Sequence, residues 1–306
     1  MRRRSLASLI VLFALAAAGC GIGAGDAPSG TRLMISRDFG ERSMLDTGEP
    51  KLGGEDTVMR MLERNADVKT RYGGAFVQEI EGVAGGQRDG HAVDWFFYVN
   101  GLQSDEGDKS IRLDEGDSIW WDHHRWDVST VDVVIGQFPQ PFSGGPEGRR
   151  LPVRVECAEP EGADCKKIRD VLVEYGVPAS RARLAAQLEQ ETLRVLVGPW
   201  QRIGGDRAAG RISEGPRESG VFARFEEDRT TLALLDSDGR ARRRLGAGAG
   251  LIAATRVDDE PLVWVVTGTD DRGVASAVAA FGEASLHGNF ALAITPEQTG
   301  VGLPLQ

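Results

Sequence analysis

The chain has 306 residues, 41% hydrophobic and 27% charged, an ordinary globular composition that excludes a wholly disordered polymer. Its formal net charge of −10 lacks the basic footprint that a phosphate backbone demands, which argues against nucleic acid as a partner. The length suggests two domains.

The first twenty residues, MRRRSLASLIVLFALAAAGC, combine three arginines, an apolar run from Leu9 to Ala18 and a small-residue end. That is the pattern of an export signal, and the run is short for a transmembrane helix. Ala17-Ala18-Gly19-Cys20 resembles the bacterial lipobox, although Ala17 stands where Leu is usual. The resemblance implies that Cys20 is lipidated and becomes the mature N-terminus, holding the protein on the membrane outside the cytoplasm. The other reading is a plain secretory signal with an incidental cysteine. Loss of Arg2, Arg3 and Arg4 leaves 33 basic against 46 acidic residues, a balance of −13.

Residues 21–30, GIGAGDAPSG, are small and read as a flexible tether. TRLMISRDF (31–39) starts a strand in which Leu33 and Ile35 alternate with polar residues. Residues 40–54 are Gly-rich and polar, a long connection. Glu55-Asp56-Thr57 then cap a helix with Val58, Met61, Leu62 and Ala66 on one stripe. YGG (72–74) signals a turn, AFVQEIEGV (75–83) alternates as a strand, and WFFYVNG (95–101) is a strand ending in a hairpin-type Asn-Gly. Two further short strands flank Asp114-Glu115-Gly116. The order β-α-β-β-β-β over 31–127 predicts one helix on a small mixed sheet, a β-grasp-like layout.

YGGAFVQEIEGV, DWFFYVNG and IRLDEGDSIWW follow one another here with the order and spacing of the transcobalamin-like C-terminal (DUF4430) family, which this stretch resembles. Tyr98-Val99-Asn100-Gly101 matches that family's pattern, and Phe97 stands where a second Tyr is common. In the vitamin-carrier relatives the similar domain helps to enclose cobalamin. The resemblance therefore implies a cobalamin-like molecule, or another flat one, as a ligand. The chain has no recognisable α/α-barrel beside it, and no resident cofactor is expected.

Residues 128–150 finish a strand and become a Pro/Gly linker, which sets domains at 31–148 and 149–306. In the second, LPVRVEC, TLRVLVG, GLIAATRV, PLVWVVTG and FALAIT read as strands. CKKIRDVLVEYG, SRARLAAQLEQ and DRGVASAVAAFGEASL read as helices, and the region from SGVFARFEE through TTLALLDSDGRARRRLG as hairpins. The whole is α+β, with an α/β C-terminal domain of no recognised family. Cys157 and Cys165 form an even pair in an exported chain, the arrangement of a disulfide. Between them lie carboxylates but no His, too few ligands for a metal.

Strand side chains alternate faces, so Trp95 and Phe97 share one face and Phe96 and Tyr98 the other. The first pair is assigned to the core. Phe96 and Tyr98 are expected to be partly exposed and, with Asn100, Trp120 and Trp121, to form a ligand-binding or contact surface. The competing reading is that the second domain or the linker covers them. In WWDHHRWD, His123 and His124 point opposite ways and suit a solvated strand end better than a metal. DSDGR (236–240) lacks the Glu that a calcium loop needs, with Ala247 in its place, and reads as a hairpin turn. In VVTGTDDRG, Asp270 or Asp271 caps a helix and an acidic pair repels phosphate. No Gly-x-Ser-x-Gly or other catalytic constellation stands out, so no enzyme is expected. The expected function is that of an exported lipoprotein binding a small ligand, accessory to a membrane transporter. The alternative is an adhesion or scaffolding lipoprotein whose first module docks a protein or a surface polymer.

Overall fold

A computed structural model describes residues 30–306, apart from 55, 74–75, 105–110, 146–147, 188–190 and 259. The stretch read as an export signal, Cys20 and residues 21–29 lie outside the described residues.

The N-terminal part contains β1 (Arg32–Arg37), β2 (Arg42–Thr47), α1 (Val58–Asn65), β3 (Val68–Arg71), β4 (Phe76–Ile80), β5 (Val83–Ala84), β6 (Gly86–Arg88), β7 (His91–Val99), β8 (Leu102–Gln103) and β9 (Ser118–Arg125). Its main sheet runs β2-β1-β9-β7-β6, with β8 beside β7. β1 and β9 are parallel and the other pairs antiparallel. The side chain of Thr57 caps α1 by accepting from the Arg60 amide. That helix buries Val58, Met59, Met61 and Leu62 against Leu33, Ile35, Trp95, Phe97, Ile119 and Trp121. β3, β4 and β5 form a separate small sheet that closes one side of this core through Val77 and Ile80. β2 occupies part of the stretch expected as a connection. Its Met44 and Leu45 pack on the core from an edge position, which outweighs the polar, glycine-flanked composition around them.

The C-terminal part contains β10 (Val153–Cys157), α2 (Ala163–Glu174), β11 (Ala179–Arg183), β12 (Leu193–Pro199), α3 (Trp200–Ile203), α4 (Arg207–Glu214), α5 (Pro216–Ser219), β13 (Ala223–Phe225), β14 (Leu232–Leu235) and β15 (Ala241–Leu245). β16 (Gly250–Thr255), β17 (Val263–Gly268), α6 (Asp271–Ala280), α7 (Glu283–Leu286), β18 (Ala291–Ile294) and β19 (Gly300–Leu303) complete it. Seven strands form one sheet in the order β11-β10-β12-β17-β16-β18-β19. The first four are parallel, and the remaining pairs antiparallel. β12 and β17 are buried along most or all of their length, as their continuous apolar runs predict. The fold is α+β.

Two expectations are corrected here, and one omission is filled. SRARLAAQLEQ begins not as a helix but as β11, because β10 offers an open edge for parallel pairing. The missed helices α3 and α4 bury Trp200, Ile203, Ala208, Ala209 and Ile212 on the sheet face opposite α2 and α6. The stretch expected as a Pro/Gly linker is no free linker. Val131, Val134, Ile135, Phe138 and Phe142 are buried, feeding two different cores. Gln137 anchors it, accepting from the Gly101 amide at 2.7 Å and donating to the Ser118 carbonyl at 2.6 Å. The disulfide is present, tying the end of β10 to the first turn of α2 with the Cα atoms of Cys157 and Cys165 5.9 Å apart.

Candidate functional site

The two aromatic-rich strands β7 and β9 pair directly, with Tyr98 opposite Trp120 and Phe97 opposite Trp121. Alternation sends Trp95, Phe97 and Trp121 toward α1, where Phe97 and Trp121 stack at 4.6 Å. Phe96, Tyr98, Trp120 and His124 face the other way, into a seam against the C-terminal part. Phe290 closes that seam, its ring 4.8 Å from Trp120, 5.5 Å from Tyr98 and 5.4 Å from His124.

Phe39 is the plug of the seam. It stacks on His124 at 4.5 Å and meets Phe222 and Phe290 edge-on at 5.2 and 5.3 Å. It sits in the β1–β2 turn, where Asp38, Phe39 and Gly40 have φ of 58°, 60° and 85°. A bulky side chain in left-handed backbone is strained and persists only where its surroundings impose it. Gly40 is required twice, by its φ and because a Cβ there would lie 2.1 Å from the Gly288 carbonyl oxygen.

The group that receives the amides of this turn is Asp122, a wholly buried carboxylate midway along β9. One oxygen accepts from the Phe39 amide at 3.0 Å and from His124 Nδ1–H at 2.7 Å. The other accepts from the Gly40 amide at 2.9 Å and from the Ser36 hydroxyl at 2.6 Å. Trp120 Nε1–H in turn donates to Ser36 Oγ at 2.6 Å. Four donors offset the desolvation of one charge, and the consecutive amides form the concave nest that suits an anion. Ser, Asp and His are all present, yet the order is wrong for nucleophile activation. The carboxylate lies between Ser36 and His124, so the hydroxyl donates to Asp122 and the imidazole does not take its proton.

Beside the seam lies a cleft of about 320 Å³, with Phe39, Gly40 and Glu41 on one wall and Gly288, Asn289 and Val301–Gln306 on the other. Through Asn289 and Gly302 it adjoins a groove of about 580 Å³ along α6. Alanines 275, 279 and 280 wall the groove, Gly300 and Gly302 lie along β19, and Arg272, Ser276, Ser285 and Gln298 supply polar groups. The two parts are further joined by His287 to Asp46 at 2.6 Å and by an Arg32–Glu283 ion pair.

The helix, hairpin and final strand at the centre of this arrangement are covered by a family model whose description is "Domain of unknown function (DUF4430)". Residues 55–125 are a DUF4430 domain. No curated protein matches the chain. The DUF4430 match begins just before α1, so β1, which lies between β2 and β9 in the sheet, stands outside it. Phe39 and Ser36 also stand outside it, whereas Asp122 and His124 belong to the DUF4430 domain.

The residues singled out in the sequence thus separate. Trp95 and Phe97 are in the α1 core, as expected. Tyr98 is not partly exposed. It and Trp120 have no accessible surface, because the C-terminal part covers that face of the DUF4430 domain. Phe96 is half-buried at its rim. Trp121 lies on the opposite, α1 face. Asn100 is buried at the β7–β8 turn, with its Nδ2 donating to Asp117 at 2.8 Å and its Oδ1 accepting from the Ser118 amide at 2.9 Å. The two histidines do point opposite ways, but the strand end is not solvated: both are buried. His123 Nε2–H donates to the Ala84 carbonyl at 3.1 Å, and burial, with a carbonyl bond opposing it and Arg88 and Arg37 nearby, lowers its pKa. The Tyr98 hydroxyl has no partner among the described residues, and burial, with the Asp122 and Asp132 charges, raises its pKa. Asp270 caps α6, accepting from the Gly273 amide at 2.8 Å. Among the described residues no three His, Cys, Asp or Glu side chains are grouped to hold a metal. Sequence reading missed Phe39, Asp122, Phe222 and Phe290. The available signal was one acid inside an otherwise aromatic strand, a position that needs a buried partner set.

Proposed function

We propose that the protein is an exported, lipid-anchored binding protein that holds a small molecule outside the cytoplasm, between its two domains, and serves a membrane transporter. The observation that carries this reading is the cleft whose walls come from both parts and which adjoins a larger groove. Such concavities with a few polar groups are where small ligands bind. The basic, apolar start ending in Cys20 supports export and anchoring, as does the disulfide. The similarity of the DUF4430 domain to its vitamin-carrier counterpart makes corrinoids the first ligands to try. With the aromatic seam closed, they would enter by the cleft rather than stack on Tyr98 or Trp120.

The test is calorimetric titration of the full chain with corrinoids, alongside native mass spectrometry for co-purified small molecules. Gly300 has ordinary backbone, and a Cβ there would meet only Leu292 Cδ1 at 3.4 Å, so Gly300→Trp fills the groove with little strain. It should abolish binding and leave the melting temperature unchanged. Binding unaffected by Gly300→Trp would move the ligand out of the groove, and no ligand by either method would sink the reading. Lipid labelling that Cys20→Ser does not abolish would remove the anchor.

A second reading, adhesion or scaffolding, is favoured by one feature. At the β3–β4 hairpin, Tyr72 is 82% and Phe76 39% exposed. Exposed aromatics on a hairpin tip suit docking to a protein or polymer. Tyr72→Ser with Phe76→Ser should then weaken attachment of cells or of the protein to its surface while the groove titration is unchanged.

A further inference from the structure

We propose that Asp122 is a latch, the positioning residue that keeps Phe39 seated and the Phe39–Glu41 wall of the cleft in place. Its consequence for ligand binding rests on the cleft reading above; the latch itself does not. Left-handed backbone is tolerated at Asp38 and Gly40, but the bulky Phe39 between them has no local cause to adopt it. The turn therefore needs an external holder. The Phe39 and Gly40 amides both donate to the Asp122 carboxylate. The carboxylate is itself fixed by Ser36 and His124, so its direction is set before the turn docks.

The turn is also held within the first part, where the Asp38 amide donates to the His123 carbonyl at 2.9 Å and the Asp38 carboxylate pairs with Arg88, and most of its remaining contacts reach the second part. The Phe39 ring enters between His124, Phe222 and Phe290, Gly40 abuts the Gly288 carbonyl, and the Gln306 side chain donates to the Asp38 carbonyl at 3.1 Å. Those contacts require the strained turn to be in place. Releasing the carboxylate would let the turn relax toward ordinary backbone, withdraw Phe39, widen the cleft and wet the Tyr98 hydroxyl, which has no partner among the described residues. The seam thus has an opening motion whose pivot is one acid.

The experiment is hydrogen exchange by mass spectrometry on the full chain, with 1-anilinonaphthalene-8-sulfonate fluorescence as a second reading of opened apolar surface. Asp122→Asn keeps the shape but has one acceptor oxygen for four donors. Peptides over 36–41 should exchange at least ~10-fold faster than in wild type, those over α2 and α6 should be unchanged, and dye fluorescence should rise. Phe39→Gly removes the plug and leaves the acceptor, so it should raise dye fluorescence while the amides at 39 and 40 stay slow. Exchange within twofold of wild type in Asp122→Asn overturns the latch. If that variant does not fold, the wild type decides: amides at 39 and 40 as fast as those of the exposed Arg42–Ser43 edge would also overturn it. If exchange responds but corrinoid titration of wild type and variant is silent, the latch stands and the cleft reading falls.

Discussion

The pair Phe39 and Phe290 offers a direct measure of how firmly the two parts are joined. Their rings meet edge-on at 5.3 Å, and Phe290 also contacts Tyr98, Trp120 and His124. Both side chains are buried. Truncating a buried phenylalanine removes its transfer free energy and leaves a cavity, at a cost of about 3–5 kcal/mol. For Phe290→Ala the upper part of that range is expected, because four aromatic neighbours on the first part lose a partner and a rigid sheet cannot collapse into the space. Phe39→Ala keeps a Cβ in left-handed backbone, so it relieves no strain and its cost should fall within the same range. The pair itself should show a coupling of about 0.5–1.5 kcal/mol in a double-mutant cycle. Urea unfolding followed by tryptophan fluorescence reads all three variants, since Trp120 sits in the seam. Strict additivity would show that this pair is not coupled, and a Phe290→Ala variant as stable as wild type would show that the seam contributes nothing and that the two parts merely adjoin.

Unreduced, exported protein should be two hydrogens lighter than its reduced form and should yield no alkylatable thiol at Cys157 or Cys165; closing so short a loop should stabilise by ~2–3 kcal/mol on the chain-entropy estimate. A hydrogen bond from Arg125, helped by one from His91 and opposed by partial burial, lowers the Asp127 pKa to about 2. Its folded value lies below its unfolded one, so its stabilising contribution is present above about pH 4 and is lost as pH falls through about 2. Carboxyl-resolved NMR titration should show Asp127 returning toward the ordinary range in Arg125→Leu, and an unmoved midpoint would refute the pairing. Gly40→Ala should destabilise by several kcal/mol, roughly the sum of a strained φ and an unavoidable clash, and a wild-type melt would contradict the turn as described.

Much of the fold was legible because the signals were local. Thr57 before an apolar stripe, Asn100-Gly101 after an alternating strand, and the near-continuous apolar run of β12 each determine their own structure. Alternation separated Trp95 and Phe97 from Phe96 and Tyr98, and the demand of a helix-facing strand for bulky mid-strand residues assigned the first pair to the core, where the structure places it. What failed was whatever depended on a distant partner. Tyr98 was expected to be partly exposed because nothing nearby in sequence covers it, and the covering ring belongs to Phe290. β11 read as helical because its pairing edge on β10 is invisible to periodicity. Phe39 carried no signal, since a turn phenylalanine is remarkable only once its φ and its burial are known together.

The seam also sets an order of events in biosynthesis. Chains emerge N-terminus first, and domains tend to fold as they appear. Phe96, Tyr98 and Trp120 can be arranged on their sheet once β9 has formed, but Phe290 lies 192 residues after Tyr98. Until β18 is delivered, a newly folded first part carries an uncovered aromatic face. While the chain is still emerging, that interval is a window in which the face is open to holding chaperones or to other emerging copies. A chain stalled before residue 290 should therefore be far more prone to aggregate than one stalled after β19, although the first part is equally complete in both.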